Sequence, residues 1–319
     1  MAIGKVVLIG GAGFVGSHLV EALLADDAKE IVIFDNFTRG TKQNLAETSK
    51  NKSVRIVEGD ILDPKAVEKV VQGADGVFHL AASWLLQCAD DPRAGLQTNV
   101  VGTFNVMEAC KAANVRRLVF SSSASVYGNA LHEQMTEDHP LNNRTFYGAT
   151  KIAGEQLLRA FNEMYGLDYV ALRYFNIYGP RQDYSGAYVS VIMKVLDRLD
   201  AGEPPIVYGD GSQAYDFIYI GDIARANVLA LKSDVKDDAI NVCTGIKTSI
   251  RELVDLLREL SKSKLETEYR PAALQFVTDR LGDPTKCKTL LGFEPKVSLR
   301  EGLEKLIAWR AAELKKVTA

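Results

Sequence analysis

Tyr147 and Lys151 are the pair in this chain best placed to do chemistry. Four residues apart on a helix they share one face, so the lysine ammonium can stand beside the phenol. An ordinary tyrosine has a pKa of about 10, and an adjacent cation pulls such a value down by roughly 1 to 3 pH units. The pair can then act as a base near neutral pH. A cluster of hydroxyls, Ser121-Ser122-Ser123-Ala124-Ser125, closes the apolar run Arg117 to Phe120 about one loop before Tyr147. Both can meet at the carboxyl edge of a sheet, where ligands bind in open α/β folds. Serine-rich strand ends also serve as plain turn formers, and Tyr-x-x-x-Lys recurs on helix surfaces, so a surrounding site has to decide.

The elements that would position these residues are legible in the first half. Lys5 to Ile9, Glu30 to Phe34, Val54 to Val57, Gly76 to Leu80 and Arg117 to Phe120 are short runs rich in β-branched residues, as expected of strands buried on both faces. Val15 to Leu24, Pro64 to Val71 and Leu96 to Ala113 carry apolar residues at helical spacing, Thr145 to Met164 forms the helix of the Tyr147/Lys151 pair, and Tyr169 to Tyr174 is the next strand. Alternating strands and helices predict an α/β fold, a doubly wound parallel sheet of Rossmann type. After Pro180 the pattern is irregular, with helices expected near Ile250 to Ser261, Pro284 to Leu291 and Leu299 to Leu314. The expected division is a nucleotide-binding domain over residues 1–175, with 211–245 returning to it, and a smaller α/β substrate lobe over 176–319.

The first crossover supplies the site. Val6-Val7-Leu8-Ile9 runs into Gly10-Gly11-Ala12-Gly13-Phe14-Val15-Gly16 and then an apolar helix. In a strand–glycine–helix unit of this kind Gly10 permits the tight turn, Gly13 lets backbone approach a pyrophosphate, and Gly16 lets the helix pack against the sheet. The helix N-terminus at Phe14 and Val15 then faces the negative charge. Asp35, about 20 residues on, can accept hydrogen bonds from ribose hydroxyls, which favours NAD over NADP; Arg39 is the nearby cation a 2′-phosphate would need. Asp60 and Ile61 after the third strand, with Leu80, Ala81 and Ala82 after the fourth, are expected to line the adenine pocket and the middle of the cofactor.

Composition narrows the class. A hydrophobic fraction of 47%, a charged fraction of 25% and a net charge of −3 describe an ordinary globular chain, without the basic runs that nucleic acid or an anionic membrane would attract. Cys88, Cys110, Cys243 and Cys287 are scattered, with no spacing that suggests zinc or disulfides. No metal is expected. The N-terminus runs straight into a strand pattern and no apolar stretch reaches spanning length, so the cytoplasm is the expected location.

Taken together, these motifs resemble the NAD-dependent sugar epimerase/dehydratase family of extended short-chain dehydrogenases/reductases. The resemblance runs from Lys5 to about Trp309 through the glycine turn, Asp35-Asn36, Asn99-Val100-Val101-Gly102-Thr103, the serine strand, Tyr147/Lys151, Leu172-Arg173-Tyr174-Phe175-Asn176-Ile177-Tyr178-Gly179-Pro180-Arg181 and Asp216-Phe217-Ile218-Tyr219. It implies tightly held NAD, a nucleotide-sugar substrate and a homodimer formed through the two helices near Leu96 to Ala113 and Thr145 to Met164. It implies Tyr147 as the base, Ser123 bonding the same substrate oxygen, and Lys151 on the nicotinamide ribose, lowering the phenol's pKa. Asn36, Asn99, Ser121 and Tyr174 would contact the cofactor; Trp84, Ser125, Asn176, Arg181 and Tyr215 would contact the substrate. Dehydrating members usually carry an Asp-Glu pair after the catalytic hydroxyl and decarboxylating members a glutamate. Here Ser123-Ala124-Ser125-Val126-Tyr127 offers no acid, as in UDP-glucose/UDP-galactose 4-epimerases.

The chain departs from the family at Tyr215, where many members have an arginine that clamps the diphosphate, and in 272–278, where a second arginine has no obvious match. Arg270, Arg280 and Arg181 are the candidates to take their place, each able to grip phosphate with two N–H groups. The expected activity is a 4-epimerase working through a transient 4-keto sugar. The alternative is an NAD-dependent dehydrogenase or reductase of a nucleotide sugar or 4-keto sugar. A non-catalytic NAD-binding protein is disfavoured by Ser123, Tyr147 and Lys151 together.

Overall fold

The computed structural model describes residues 3–183, 190–272 and 279–318. The first half alternates β1 (Lys5–Ile9), α1 (Phe14–Ala25), β2 (Glu30–Asp35), β3 (Val54–Glu58), α2 (Pro64–Val71), β4 (Gly76–His79), α3 (Leu85–Asp90), α4 (Pro92–Leu96), α5 (Thr103–Ala112), β5 (Arg117–Ser123), α6 (Phe146–Tyr165) and β6 (Tyr169–Tyr174). Then come β7 (Asn176–Tyr178), α7 (Val191–Asp200), β8 (Ile206–Tyr208), β9 (Ala214–Tyr215), β10 (Phe217–Tyr219), α8 (Ile220–Lys232), β11 (Asp238–Val242), β12 (Thr248–Ser249), α9 (Ile250–Leu260), β13 (Glu268–Arg270), β14 (Asp279–Arg280), α10 (Thr285–Leu291) and α11 (Leu299–Thr318).

Seven strands form one parallel sheet in the order β11-β6-β5-β4-β1-β2-β3. The chain winds outward one way from β1 and the other way from β4, so a crevice opens beyond the carboxyl ends of those two strands. Side chains alternate between the faces: Val6, Leu8, Ile31 and Ile33 enter the core on the α1 and α8 side, while Val7, Ile9, Val32 and Phe34 enter the core on the α2, α5 and α6 side. Burial on both faces is why these strands read as continuous apolar runs.

Two expectations are corrected. The helix expected over Leu96 to Ala113 is broken by a π turn, Gln97–Gly102. There Asn99 leaves the regular ladder and its amide bonds the loop after β4, a use typical of π turns at ligand sites. The stretch after Pro180 is also more regular than expected. Ser190 caps α7, whose Ile192, Val195 and Leu196 face a core with α9 and α11. α8 lies on the sheet against α1, with Ile220, Ile223, Ala226 and Leu231 buried there, and β11 joins the sheet beside β6. α7, β8, α9 and α11 pack around a second core, formed by residues such as Tyr178, Met193, Leu253 and Leu306, while Cys287 and Leu291 of α10 join the core of the sheet.

Candidate active site

A cleft of about 450 Å³ opens at the crevice between β1 and β4. Its floor is the glycine turn. Gly10 has φ +82°, and a Cβ there would lie 2.5 Å from the backbone nitrogen of Ala81, so only glycine fits where the first and fourth strand ends meet. A Cβ on Gly16 would lie 2.5 Å from Gly11 Cα, which fixes how closely α1 packs on the turn. Gly13 differs: the nearest atom to its Cβ would be Gly10 O at 3.5 Å, so the space in front of it is open cleft. No side chain caps α1, leaving its N-terminal N–H groups and the positive end of its dipole at that space. This cradle fits a pyrophosphate.

Gly10, Gly13, Phe14, Val15, Gly16, Asp35, Asn36, Asp60, Ile61, Leu80, Ala81 and Ala82 all line the cleft. Asp35 is buried, and its carboxylate accepts Ala12 N at 2.9 Å and Phe37 N at 2.9 Å. Each oxygen retains a second lone pair that a ribose hydroxyl could use. Arg39 is committed elsewhere: its guanidinium stacks 4.6 Å above the Trp84 ring and pairs with Asp183. Asn36 Nδ2 donates to Asp60 at 3.1 Å, tying the ends of β2 and β3 together.

At the other end of the cleft stand Trp84, Ser121, Tyr147, Lys151 and Tyr174, with the Ser123 hydroxyl close enough to the Tyr147 phenol to favour its ionised form. Thr145 caps α6 through Gly148 N, so the helix starts at the site. Lys151 Nζ donates to Ser121 O at 2.7 Å and lies 5.6 Å from the Tyr147 ring centre. The Ser121 hydroxyl bonds Tyr174 Oη at 3.1 Å, and Tyr174 donates to Asn227 of α8 at 2.9 Å.

Burial dominates the electrostatics of both Tyr147 and Lys151. Burial pushes the Tyr147 phenol up to about 12; the Ser123 hydroxyl, Arg280 and Arg39 pull it down, and Lys151 is not among the principal influences. The reason is geometric, since the ammonium is turned onto the Ser121 carbonyl, and burial has lowered its own pKa to about 8.

Several expected contacts lie outside the cleft wall. Asn99 is buried behind it, its Oδ1 accepting Ser83 N at 2.7 Å and its Nδ2 donating to Ser83 O at 2.7 Å and Thr150 Oγ1 at 3.0 Å. It locks the loop after β4 to α6 instead of lining the site. Ser125 turns back on Ser123, its Oγ 3.1 Å away. Asn176 spends its amide on Asp216 O at 3.0 Å. Arg181 is held by α1, with guanidinium nitrogens 2.8 Å from both His18 and Glu21. Arg270 is exposed and paired with Glu268.

Arg280 is a further buried cation near Tyr147, outside the residues that line the cleft. β14 runs parallel to β9 and sets it beside Tyr215, within electrostatic reach of Tyr147. Burial holds its pKa down to about 10, and among the described residues its Nε has no hydrogen-bond partner. The expectation about 272–278 falls largely on residues 273–278, which lie outside the described residues. Arg280-Leu281-Gly282-Asp283 just beyond them was the available signal. Ser83, Gln87, Thr98, Gln182 and Asp183 also line the cleft, and no motif in the sequence announces them.

The sequence pattern of the NAD dependent epimerase/dehydratase family matches residues 6–243. The chain belongs to that family. Its cofactor is NAD, for which the glycine cradle and Asp35 provide the fit. A UDP-glucose 4-epimerase of Mycolicibacterium smegmatis is 34% identical over 306 residues, 95% of this chain and 97% of that protein. The solved UDP-N-acetylglucosamine 4-epimerase from Methanobrevibacter ruminantium, in complex with UDP-N-acetylmuramic acid, is 35% identical and superposes with a TM-score of 0.93 over 98% of this chain and all of the other. The UDP-glucose 4-epimerase of Thermus thermophilus, solved as a complex with NAD, is 32% identical, with a TM-score of 0.86 over 96% and 98% of the two chains. Among the described residues no helix of this family member is long and apolar enough to cross a membrane, and no group of acidic, His and Cys side chains gathers to hold a metal.

Proposed function

We propose that this protein is a nucleotide-sugar 4-epimerase of the UDP-glucose/UDP-galactose type. The observation that carries the reading is the end of β5 beside Tyr147, where Ser121, Ser122, Ser123 and Ser125 offer hydroxyls and the segment holds no carboxylate. An elimination would need an acid to protonate the leaving group and a base for the neighbouring carbon. Epimerisation needs one shuttled proton. When bound, NAD supplies a positively charged ring that takes hydride from the sugar's C4 and returns it. Tyr147 takes the proton of the 4-hydroxyl, and Ser123 bonds the same oxygen so that the proton can come back. Lys151 holds the ribose near that ring. Turning of the ketone in the pocket exposes its other face, so C4 inverts without net use of cofactor.

Arg280 would grip the substrate's diphosphate, supported by its burial beside Tyr215 and by an Nε without a hydrogen-bond partner among the described residues. The proposed working form is a homodimer in the cytoplasm. Its interface would join the outer faces of α5 and α6, where Phe104, Met164 and Tyr165 are exposed around a hollow of about 490 Å³.

The direct test incubates purified protein with UDP-glucose and follows UDP-galactose by NMR, with UDP-N-acetylglucosamine in parallel. Interconversion without accumulating NADH is expected. Stoichiometric NADH release would favour the dehydrogenase instead. Light scattering reports the oligomer, and a Phe104→Glu chain should run as a monomer.

A further inference from the structure

One turn beyond Lys151 on α6, Glu155 is 5% exposed and its carboxylate is fully engaged. Arg173 of β6 grips it with two bonds, Nε to Oε1 at 2.9 Å and Nη2 to Oε2 at 2.7 Å, and the Ser122 hydroxyl donates to Oε1 at 2.5 Å. The remaining Arg173 nitrogen, Nη1, donates to Tyr127 Oη at 2.8 Å and Glu137 O at 3.0 Å. Tyr127 passes the chain on to Asn241 of β11 at 2.7 Å. This buried network joins α6, β5, β6 and β11 directly behind the serine strand. A buried ion pair of this kind is no better for stability than apolar packing of the same volume. Stability alone does not account for it.

Alternation along β5 gives it another use. The Ser121 and Ser123 hydroxyls serve Tyr174 and Tyr147, and Ser122 between them is anchored to Glu155. We infer that the Arg173–Glu155 pair is a positioning device for the reaction, fixing through Ser122 how β5 presents Ser121 and Ser123 and keeping a carboxylate behind the Lys151 ammonium. The inference rests on the proposed roles of Tyr147 and Lys151.

Lys151 is faced by Glu155 and Tyr147 from its own helix, Cys88 from α3, His79 from β4 and the Ser121 carbonyl from β5. His79 is pushed down to about 3 and is neutral at working pH, and burial holds the Cys88 thiol up and uncharged. Glu155 is therefore the acidic neighbour that opposes the burial of Lys151. Removing it lowers the lysine's pKa further from about 8, so the ammonium is lost earlier as pH rises.

The test uses NAD-loaded Glu155→Gln, Ser122→Ala and the double Glu155→Gln/Arg173→Met, which removes both charges and leaves no unpaired buried cation. With UDP-glucose across the pH range around the lysine's titration, Glu155→Gln should cut kcat about 10- to 100-fold at near-native KM and move the alkaline limb down by about one pH unit. The double variant should show the same displaced limb. Ser122→Ala should cut kcat by up to about tenfold with the limb unmoved. A second readout needs no turnover: NAD retained after desalting, in the same pH series without sugar, should be lost at lower pH in the Glu155 variants. If the native chain epimerises nothing, the proposed activity fails while NAD retention still decides the positioning role. Native kcat, limb and NAD retention in all three variants, or a loss confined to melting temperature, would overturn it.

Discussion

The two walls of the cleft are built differently. The cofactor wall is mostly backbone: a glycine turn locked between β1 and β4, an uncapped helix end, and Asp35 bonded to two main-chain amides. The opposite wall, the proposed substrate side, is mostly side chain, with Trp84 under Arg39 and with Tyr147 and Lys151, and Arg280 stands beside Tyr215 on short strands within electrostatic reach of Tyr147. Backbone geometry tolerates few residues, whereas a side-chain wall can be redrawn one residue at a time without disturbing the fold. Cofactor binding should thus resist single substitutions away from the glycines and Asp35, and substrate choice should not.

The sharpest break falls where the walls meet. Tyr147→Phe keeps the ring and removes the proton carrier, so turnover should fall by about 10²- to 10⁴-fold while NAD stays bound. Stopped turnover with retained NAD is the expected result; near-native kcat would remove Tyr147 from the mechanism. Gly13→Val tests the cofactor wall. Because the space before Gly13 is open and its φ is −76°, valine should leave the apo melting temperature within a few degrees and fill the pyrophosphate cradle. An overpacking cost of roughly 1–3 kcal/mol corresponds to about a 5- to 150-fold loss of NAD affinity by calorimetry. Loss of the fold itself would mean the open space had been misjudged.

The same contrast explains what the sequence disclosed. Gly10, Gly13, Gly16 and Asp35 sit in a local strand–turn–helix whose spacing is set by backbone, and β1, β2, β4, β5 and β6 are buried on both faces while the edge strand β3 is largely exposed, so sheet and cradle were legible. Tyr147, Lys151 and the serines were legible for the same reason, as each lies at the end of a regular element. Arg181 was misplaced because Pro180 and Arg181 follow β7 into a loop whose route to α1 depends on tertiary pairing with His18 and Glu21. Asn99 was misread because a π turn rotates it off the helical register. α8 was obscured because Ile220, Ile223, Ala224, Ala226, Asn227, Ala230 and Leu231 are buried on several of its sides, which blurs the amphipathic period. Arg280 reaches the site only because β14 pairs with β9, a contact between segments far apart in sequence.

The substrate wall is tested next through Arg280→Met. Losing charge-assisted bonds to a diphosphate, worth roughly 1.5–3 kcal/mol, should raise KM about 10- to 150-fold with NAD retention unchanged. Arg280 also pulls down the Tyr147 phenol, so its removal leaves that pKa higher still. The acid limb of kcat, where Tyr147 must give up its proton, should then move to higher pH. An unmoved KM would place the diphosphate elsewhere.

Tyr215 gives the smallest and most discriminating effect. Tyr215→Phe removes one hydroxyl, and a hydrogen bond of roughly 0.5–1.5 kcal/mol implies a KM change of about 2- to 12-fold. Tyr215→Arg sets a second guanidinium beside Arg280. Without substrate the like charges repel, so the apo chain should melt lower; with a diphosphate between them both cations gain a partner, and KM should fall. The two measurements must move in opposite directions if an anionic diphosphate lies at this wall. A lower melting temperature with no gain in KM would mean that the substrate brings no such charge there, and the nucleotide half of the proposal would fail while the chemistry at Tyr147 stood.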